Sequence, residues 1–124
     1  MTEIQALLLI KAILEAADIH GIESILADDC EYMSTGRGII GRNRNETVEF
    51  LSSMTESIKA DNVPVTCKVM HIIDVYEEDA LFHEGRHGLT VFYESNDKYV
   101  YMIFVDVNDE GLVDRIVSSQ ENYS

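Results

Sequence analysis

The sequence has no tryptophan, one proline and seven glycines among 124 residues. So little proline and glycine argues against a long linker or a low-complexity segment. A chain of this length is expected to form a single domain over residues 1–124. The apolar run at 6–10 follows Glu3 and ends at Lys11. It has neither the positive start of a signal peptide nor the roughly 20 residues of a membrane span, so neither segment is expected.

Basic residues are also scarce. Nine Lys and Arg stand against 23 Asp and Glu, which gives a formal net charge of −14. A surface this acidic repels nucleic-acid phosphates and anionic lipids, so neither nucleic acid nor a membrane is expected as a partner. Because no secretory signal is recognised, the protein is expected in the cytoplasm. Its two cysteines, Cys30 and Cys67, are then expected to be buried free thiols.

The first half of the chain predicts helices and the second half predicts strands. Thr2 and Gln5 form a capping-box pattern, Asp18 can cap a second short helix, and Asn43 begins a third. A short strand is expected at 30–34 and long ones at 65–76, 80–94, 99–107 and 112–119, with polar turns at 77–79, 95–97 and 109–111. Helices followed by an antiparallel meander predict an α+β fold.

The long strands are apolar on both faces. The first face would carry Val69, Leu89, Val91, Tyr101, Ile103 and Val105, and the second would carry Met70, Phe82, Phe92, Met102 and Phe104. A sheet that is apolar on both faces needs two covers. The helices are expected to cover one face and a second copy of the chain the other, which predicts a homodimer.

Three segments resemble a known superfamily. They are residues 14–29, Gly41 with the helix that follows it, and residues 107–113. In this order they resemble the nuclear transport factor 2-like superfamily, which includes the SnoaL-like polyketide cyclases and the steroid delta-isomerases. The resemblance implies a cone-shaped, strongly curved antiparallel sheet wrapped around three N-terminal helices. It also implies an apolar pocket inside the cone and dimers through the convex sheet face, but the fold alone assigns no activity.

Two branches of this superfamily depend on residues that the chain lacks. For the isomerases the resemblance implies a tyrosine, a carboxylate base and a protonated carboxylic acid, and these positions fall on Ile10, Ser34 and Ile103. For the epoxide hydrolases it implies an arginine between two aspartates. Arg86 matches the arginine, but the acid positions hold Gly88 and Ser118. Neither chemistry is therefore expected.

Two short motifs point to sites that their context does not support. Residues 36–41 read G-x-G-x-x-G, but the repeated βαβ units of a dinucleotide fold are missing, so a flexible loop at the pocket mouth is expected. Residues 83–87 read H-E-x-x-H, which holds zinc only on a helix. Gly85, Gly88 and the apolar run that follows predict a strand, in which the two histidines lie about 13 Å apart.

Three histidines are the candidate catalytic residues. If residues 77–79 and 95–97 are three-residue turns, His71 lies opposite Gly85, with His83 and His87 diagonally beside it at roughly 7 Å. The same face would continue into Tyr99, Tyr101 and Ile103. Such a cluster fits acid–base chemistry near neutral pH. Half-buried histidines satisfied by their neighbours and a metal site stay open as alternatives, and a one-residue change in turn length would bring Phe82, Glu84 and Arg86 to this face.

The remaining candidate ligand contacts lie in the first half of the chain. Tyr32, Phe50 and Met54 belong to elements that wall the pocket in the family, although core packing explains them equally well. Arg37 could attract an anionic group, with ordinary surface charge on a solvated loop as the alternative. The sequence thus predicts a domain that binds a small apolar or partly anionic molecule, without a metal or other cofactor. A cofactor-independent lyase or isomerase that uses the histidines is the alternative, and a protein-interaction module is a third class.

Overall fold

A computed structural model of the chain describes residues 1–62, 64–71, 86–93 and 99–122, and only the backbone at 93, 99–101 and 120–122. The helices are α1 (Glu3–Ala16) and α2 (Arg44–Asp61), and a 3-10 helix spans Ile22–Ile25. The strands are β1 (Leu26–Ser34), β2 (Gly38–Gly41), β3 (Val65–His71), β4 (His87–Tyr93), β5 (Tyr99–Val107) and β6 (Val113–Asn122). Among the described helices, none is long and apolar enough to cross a bilayer.

Both α-helices begin where the sequence predicts. The Thr2 hydroxyl accepts the Gln5 N–H, and the Gln5 side chain accepts the Thr2 N–H, so the capping box forms. The Asn43 side chain caps α2 by accepting the Glu46 N–H. Helix α1 ends at Ala17, whose φ of 52° is left-handed. Its buried residues are Ala6, Leu7, Ile10 and Leu14.

The second of the three predicted helices is reduced to one 3-10 turn. Asp18 does not cap a helix, because its carboxylate accepts the His20 N–H in a local turn. Gly21 is left-handed, with φ of 85°, and only four helical residues follow before Leu26 opens β1. The sheet is therefore covered by two α-helices and a 3-10 turn.

The six strands form one mixed sheet in the order β2-β1-β6-β5-β4-β3. All neighbours are antiparallel except β1 and β6, which are parallel, so the expectation of a wholly antiparallel sheet was wrong. Helix α1 packs on β3, β4 and β5, and α2 packs on β1 and β2. We call the side that carries the core residues the helical face; it includes Tyr32, Cys67, Leu89, Ile103 and Ile116. The predicted α+β fold is confirmed.

Residues 36–41 form part of a hairpin rather than a flexible loop. Residues 35–37 are the turn, and β2 pairs antiparallel with the end of β1. Gly41 ends β2 shortly before α2 begins at Arg44, in the order that the resemblance implies. Gly36 therefore lies in the hairpin turn, and Gly38 and Gly41 lie in β2. A dinucleotide site would instead place these glycines in the turn between a strand and a helix.

The predicted register is correct for one pair of long strands and wrong for another. Leu89 pairs with Ile103, as the three-residue turn at 95–97 requires. His71, however, pairs with His87 instead of Gly85. A shift of two residues keeps every side chain on its predicted face, so the described apolar residues divide between the faces as expected. Both predicted turns, at 77–79 and at 95–97, lie outside the described residues.

The outer face, opposite the helices, is less exposed than the sequence indicates. Met70 is 47% exposed, and Phe92 and Met102 are half-buried. Phe104 is only 2% exposed, so it is not available to a partner, as an interaction module would require. Its ring is covered by the Arg86 guanidinium, 5.8 Å from the ring centroid. Phe82 lies outside the described residues.

Candidate functional site

Two serines meet on the helical face where β1 ends. The parallel pairing of β1 with β6 places Ser34 opposite Ser118, and β5 places Ile103 on the other side of Ser118. One row deeper lie Tyr32, Ile116 and Val105, each 1% exposed. Ser34 is 7% exposed and Ser118 is half-buried. We call Ser34 and Ser118 the serine row; the row continues across the sheet into the buried Ile103 and Leu89.

Helix α2 contributes an aromatic side chain that packs on Tyr32, one row deeper than the serines. Phe50 and Met54 are four residues apart and so share one side of the helix. Both are half-buried and pack against the core. The Phe50 ring lies 4.6 Å from the Tyr32 ring, centroid to centroid, at an interplanar angle of 43°. Tyr32, Phe50 and Met54 were predicted from the sequence, but the serine row was not. Ser34 and Ser118 were considered only as positions at which the resemblance implies an acidic residue.

Two of the predicted ligand contacts, Tyr32 and Ile103, are fully enclosed. They are 1% and 0% exposed and belong to the hydrophobic core. Beyond the serine row lies the open end of the sheet, where β1, β4 and β6 end and β3 and β5 begin. An open groove of about 230 Å³ lies there, lined by Glu15, Ala17, Ile58, Lys59, Asn62, Pro64 and Val65.

Arg37 lies in the turn between β1 and β2, close in sequence to the serine row. It is exposed, and its N–H donates to the Ser34 carbonyl at 3.1 Å. Arg44, in contrast, forms an ion pair with Asp28 at 2.9 Å. Within the described part of the chain, Arg37 forms no ion pair. Among the described cations that form no ion pair, the Arg37 guanidinium is the nearest in sequence to Ser34. It is therefore available to an anionic group.

The histidines lie on β3 and β4, across the sheet from the serine row and one row further along the strands. The rings of His71 and His87 are stacked with centroids 4.8 Å apart. They share the helical face with Leu89 and Ile103, which are both 0% exposed. The backbones of Tyr101 and Tyr99 lie beyond that apolar row, about 13 and 20 Å along the strands from the histidine row. The structure thus pairs two candidate histidines but separates them from the tyrosine positions; His83 and the tyrosine side chains lie outside the described residues.

Solved structures share this arrangement of helices and strands. A protein with a cystatin-like fold from Silicibacter pomeroyi matches with a TM-score of 0.64 at 12% identity, over 95% of this chain and 74% of that one. A SnoaL-like protein of unknown function from Burkholderia thailandensis matches with a TM-score of 0.64 at 10% identity, over 97% and 94%. A steroid delta-isomerase from Pseudomonas aeruginosa matches with a TM-score of 0.62 at 10% identity, over 96% and 79%.

The chain therefore has the cystatin-like fold. The resemblance to the nuclear transport factor 2-like superfamily is confirmed at the level of the fold. No protein-family model and no curated protein matches the chain by sequence. Identities of 10–12% establish the fold and assign no activity.

Within this cystatin-like fold, the positions that the resemblance gives to the isomerase machinery face one interior. Ile10 on α1 is 3% exposed, and Ile103 and Ser34 lie on either side of Ser118 in the sheet. These side chains are two isoleucines and a serine, so none of the three positions carries a carboxylate or a phenol. The general base and the oxyanion donors of that chemistry are therefore missing from them.

Arg86 has acidic partners that the resemblance did not indicate. It donates to the Val105 carbonyl and, at 2.8 Å, to Asp106, and its Nε lies 3.6 Å from Glu3 Oε1. These contacts join the start of α1 to β5 and to the residue that precedes β4. The predicted register between β4 and β5, which is confirmed, already places Arg86 opposite Asp106, so this pair could have been found from the sequence, whereas Glu3 could not.

The described residues offer no other reactive centre. Cys30 and Cys67 are free and buried. Burial raises the pKa of both thiols to about 12, so they are not nucleophiles at neutral pH. Within the described ranges, no group of three or more His, Cys, Asp or Glu residues is arranged to hold a metal ion.

Proposed function

We propose that the protein is a small-molecule-binding domain whose ligand enters from the open end of the sheet and reaches the serine row. The observation that carries this proposal is the pairing of Ser34 with Ser118, one row from Tyr32, whose ring packs on the half-buried Phe50. A few hydrogen-bonding groups set among apolar and aromatic side chains are typical of small-molecule sites. The shared fold of a steroid delta-isomerase supports a ligand that is largely apolar.

Binding is favoured over acid–base catalysis by the chemistry of the site. The described side chains around the serine row are hydroxyl, aromatic and aliphatic groups, none of which exchanges protons readily near neutral pH. The stacked pair of His71 and His87 lies on β3 and β4, across the sheet from Ser118, with the fully buried Ile103 and Leu89 between them. A ligand at the serine row would therefore not contact these histidines.

Two adjacent serines on β6 provide the test. Ser118 and Ser119 are both half-buried, but successive strand residues face opposite sides of the sheet, so only Ser118 faces the helices. Ser118→Phe should fill the site, and Ser119→Phe is the matched control. We expect native mass spectrometry to show a co-purified molecule, or fluorescence titration to show binding of anilinonaphthalene sulfonate, with Ser118→Phe weakening either at least tenfold.

Thermal unfolding of each variant should verify that it folds. Met54→Lys, which changes the α2 side of the site, provides a second variant if Ser118→Phe does not fold. Equal binding by wild type, Ser118→Phe and Met54→Lys would place the ligand elsewhere and contradict the proposal. Loss of binding in Ser119→Phe alone would do the same.

We also propose that a second copy of the chain covers the outer face. The face presents Met70, which is 47% exposed, beside the half-buried Phe92 and Met102. Light scattering coupled to size exclusion should give a dimer for wild type and a monomer for Met70→Glu. Ile39→Glu is the control, because Ile39 is similarly exposed, at 49%, but lies on β2 at the other edge of the sheet. A monomeric wild type would contradict this arrangement.

A further inference from the structure

We propose that the serine row recognises one uncharged oxygen, a carbonyl or hydroxyl group, at the buried end of an otherwise apolar ligand. This inference rests on the proposed function and specifies the class of ligand. It follows from which buried polar groups already have partners and from where the charges lie.

Four described polar residues are buried: Ser34, Thr47, Thr55 and Thr90. Each threonine hydroxyl has a partner within the chain. Thr47 donates to the Cys30 carbonyl and Thr55 to the Ser52 carbonyl, both at 2.9 Å, and Thr90 lies 3.2 Å from the Met70 sulfur. Ser34 differs, because its hydroxyl forms no hydrogen bond with any other residue in the described ranges.

The Ser34 Oγ is not among the fully buried atoms that lack a partner, so it remains accessible, and a ligand oxygen would replace the water that it can bind. Ser118 is its direct neighbour on β6, about 4.8 Å away in the hydrogen-bonding direction of the sheet. A serine hydroxyl can rotate to donate or to accept. Two such groups side by side can both donate to the two lone pairs of one carbonyl oxygen, or exchange donor and acceptor roles with a hydroxyl.

The surroundings exclude a charged group at this depth. None of the described buried residues is Asp, Glu, Lys or Arg. An ionised carboxylate or ammonium buried without a counter-charge is strongly disfavoured. Arg37, which could attract an anion, is exposed in the turn that follows Ser34. A negative group on the ligand would therefore stay outside, near Arg37, while the end that reaches Ser34 and Ser118 is neutral.

Three probes of nearly equal size and shape separate these possibilities: acetylnaphthalene, ethylnaphthalene and naphthoate. They share one ring system and differ in offering a neutral carbonyl, no oxygen or a carboxylate. Binding to the full chain is measured by the change in naphthalene fluorescence. We expect wild type to bind acetylnaphthalene about tenfold more tightly than ethylnaphthalene, as one or two hydrogen bonds would give, and naphthoate the most weakly.

The variants assign the preference to the serine row. In Ser34→Ala/Ser118→Ala the tenfold preference should disappear while ethylnaphthalene still binds as in wild type. Ser119→Ala, on the outer face, should keep the preference. If wild type binds acetylnaphthalene and ethylnaphthalene equally, or naphthoate most tightly, the inference is overturned and the proposed binding site stands. If wild type binds none of the three, the proposed function fails with it.

Discussion

The ring of Phe104 lies directly against the backbone of Gly88. A Cβ atom added at Gly88 would stand 2.7 Å from Phe104 Cε1 and 3.2 Å from Phe104 Cζ. The Phe104 ring is only 2% exposed, with the Arg86 guanidinium over it. Gly88 thus provides the space that the Phe104 ring occupies. The ring covers the strand backbone at the place where a side chain of residue 88 would otherwise lie.

Gly88→Ala should therefore destabilise the protein. The ring cannot move away without disturbing its contact with Arg86, so the new methyl group overpacks this part of the sheet, at a cost of about 1–3 kcal/mol. Urea unfolding followed by circular dichroism measures the change. Gly36→Ala is the matched control, because a Cβ there meets nothing within 4 Å. A Gly88→Ala variant as stable as wild type would show that the ring relaxes freely.

Thr47→Val should cost about 1–3 kcal/mol. The register between β1 and β6 shifts between Leu26 and Glu31, and within this interval the Cys30 carbonyl accepts the Thr47 hydroxyl. Valine keeps the shape of threonine but leaves that buried carbonyl without the donor. Thr55→Val is the control in the same helix. Its hydroxyl donates to the Ser52 carbonyl, which lies only three residues earlier in α2. An equal loss in both variants would contradict a special role for Thr47.

Because Cys30 and Cys67 are buried thiols, we expect the free energy of unfolding to fall in alkali. Burial is the main cause that raises the pKa of each thiol from 9.0 to about 12, with Asp114 adding to it at Cys30 and Glu15 at Cys67. The unfolded chain releases these protons above pH 9, whereas the folded chain keeps them. The stabilisation is therefore complete below pH 9 and is lost between pH 9 and about 12, at up to about 1.4 kcal/mol per pH unit for each thiol.

Urea unfolding as a function of pH measures this slope. Tyrosine and lysine also titrate in alkali, so the comparison is with Cys30→Ala/Cys67→Ala, which should have a shallower alkaline slope although it is less stable overall. Iodoacetamide should label the native thiols slowly and the urea-unfolded thiols at the rate of free cysteine. Rapid labelling of the native protein, or identical slopes in both proteins, would show that the thiols ionise freely.

Glu15→Ala should destabilise the open edge of the sheet, and more so at neutral than at acid pH. β3 is an edge strand, and Glu15 accepts its Cys67 N–H at 2.9 Å while pairing with Lys11 at 2.7 Å. These contacts, the one with Lys11 first, lower the pKa of Glu15. Its contribution is therefore present above the ordinary carboxyl pKa and lost as pH falls through the lowered value.

The measurement is the difference in unfolding free energy between wild type and Glu15→Ala at neutral and acid pH. Glu49→Ala, an exposed position on α2, should show no such change. A difference that stays constant as Glu15 is protonated would mean that the carboxylate charge is unimportant and that only packing was lost.

The parts of the fold with local signals could be predicted from the sequence. The Thr2–Gln5 capping box and the short segment between β4 and β5 each involve residues close in the chain, so the start of α1 and the pairing of Leu89 with Ile103 were predicted correctly. The 3-10 turn was missed because Asp18 has the same preference for a helix cap and for a local turn. The His71 register was wrong because the acidic residues at 77–79 favour a turn without defining its length.

The site depends on contacts that no local pattern encodes. Ser34 and Ser118 meet only because β1 and β6 are parallel neighbours, whereas an antiparallel meander was expected. Glu3, the first residue of α1, meets Arg86, which follows it by 83 residues in the chain. In both cases the partners are distant in the chain, and only the assembled sheet brings them together.

The parallel pairing also has a consequence for how the protein is made. Leu26 pairs with Val113 and Ser34 with Ser118. During synthesis β1 therefore cannot pair with β6 until more than eighty further residues have been added to the chain. Until then its N–H and C=O groups on that side lack their ladder partners. Contacts this distant slow folding and prolong the exposure of strand edges. The unpaired edge of β1 is therefore exposed in the nascent chain and covered in the finished protein.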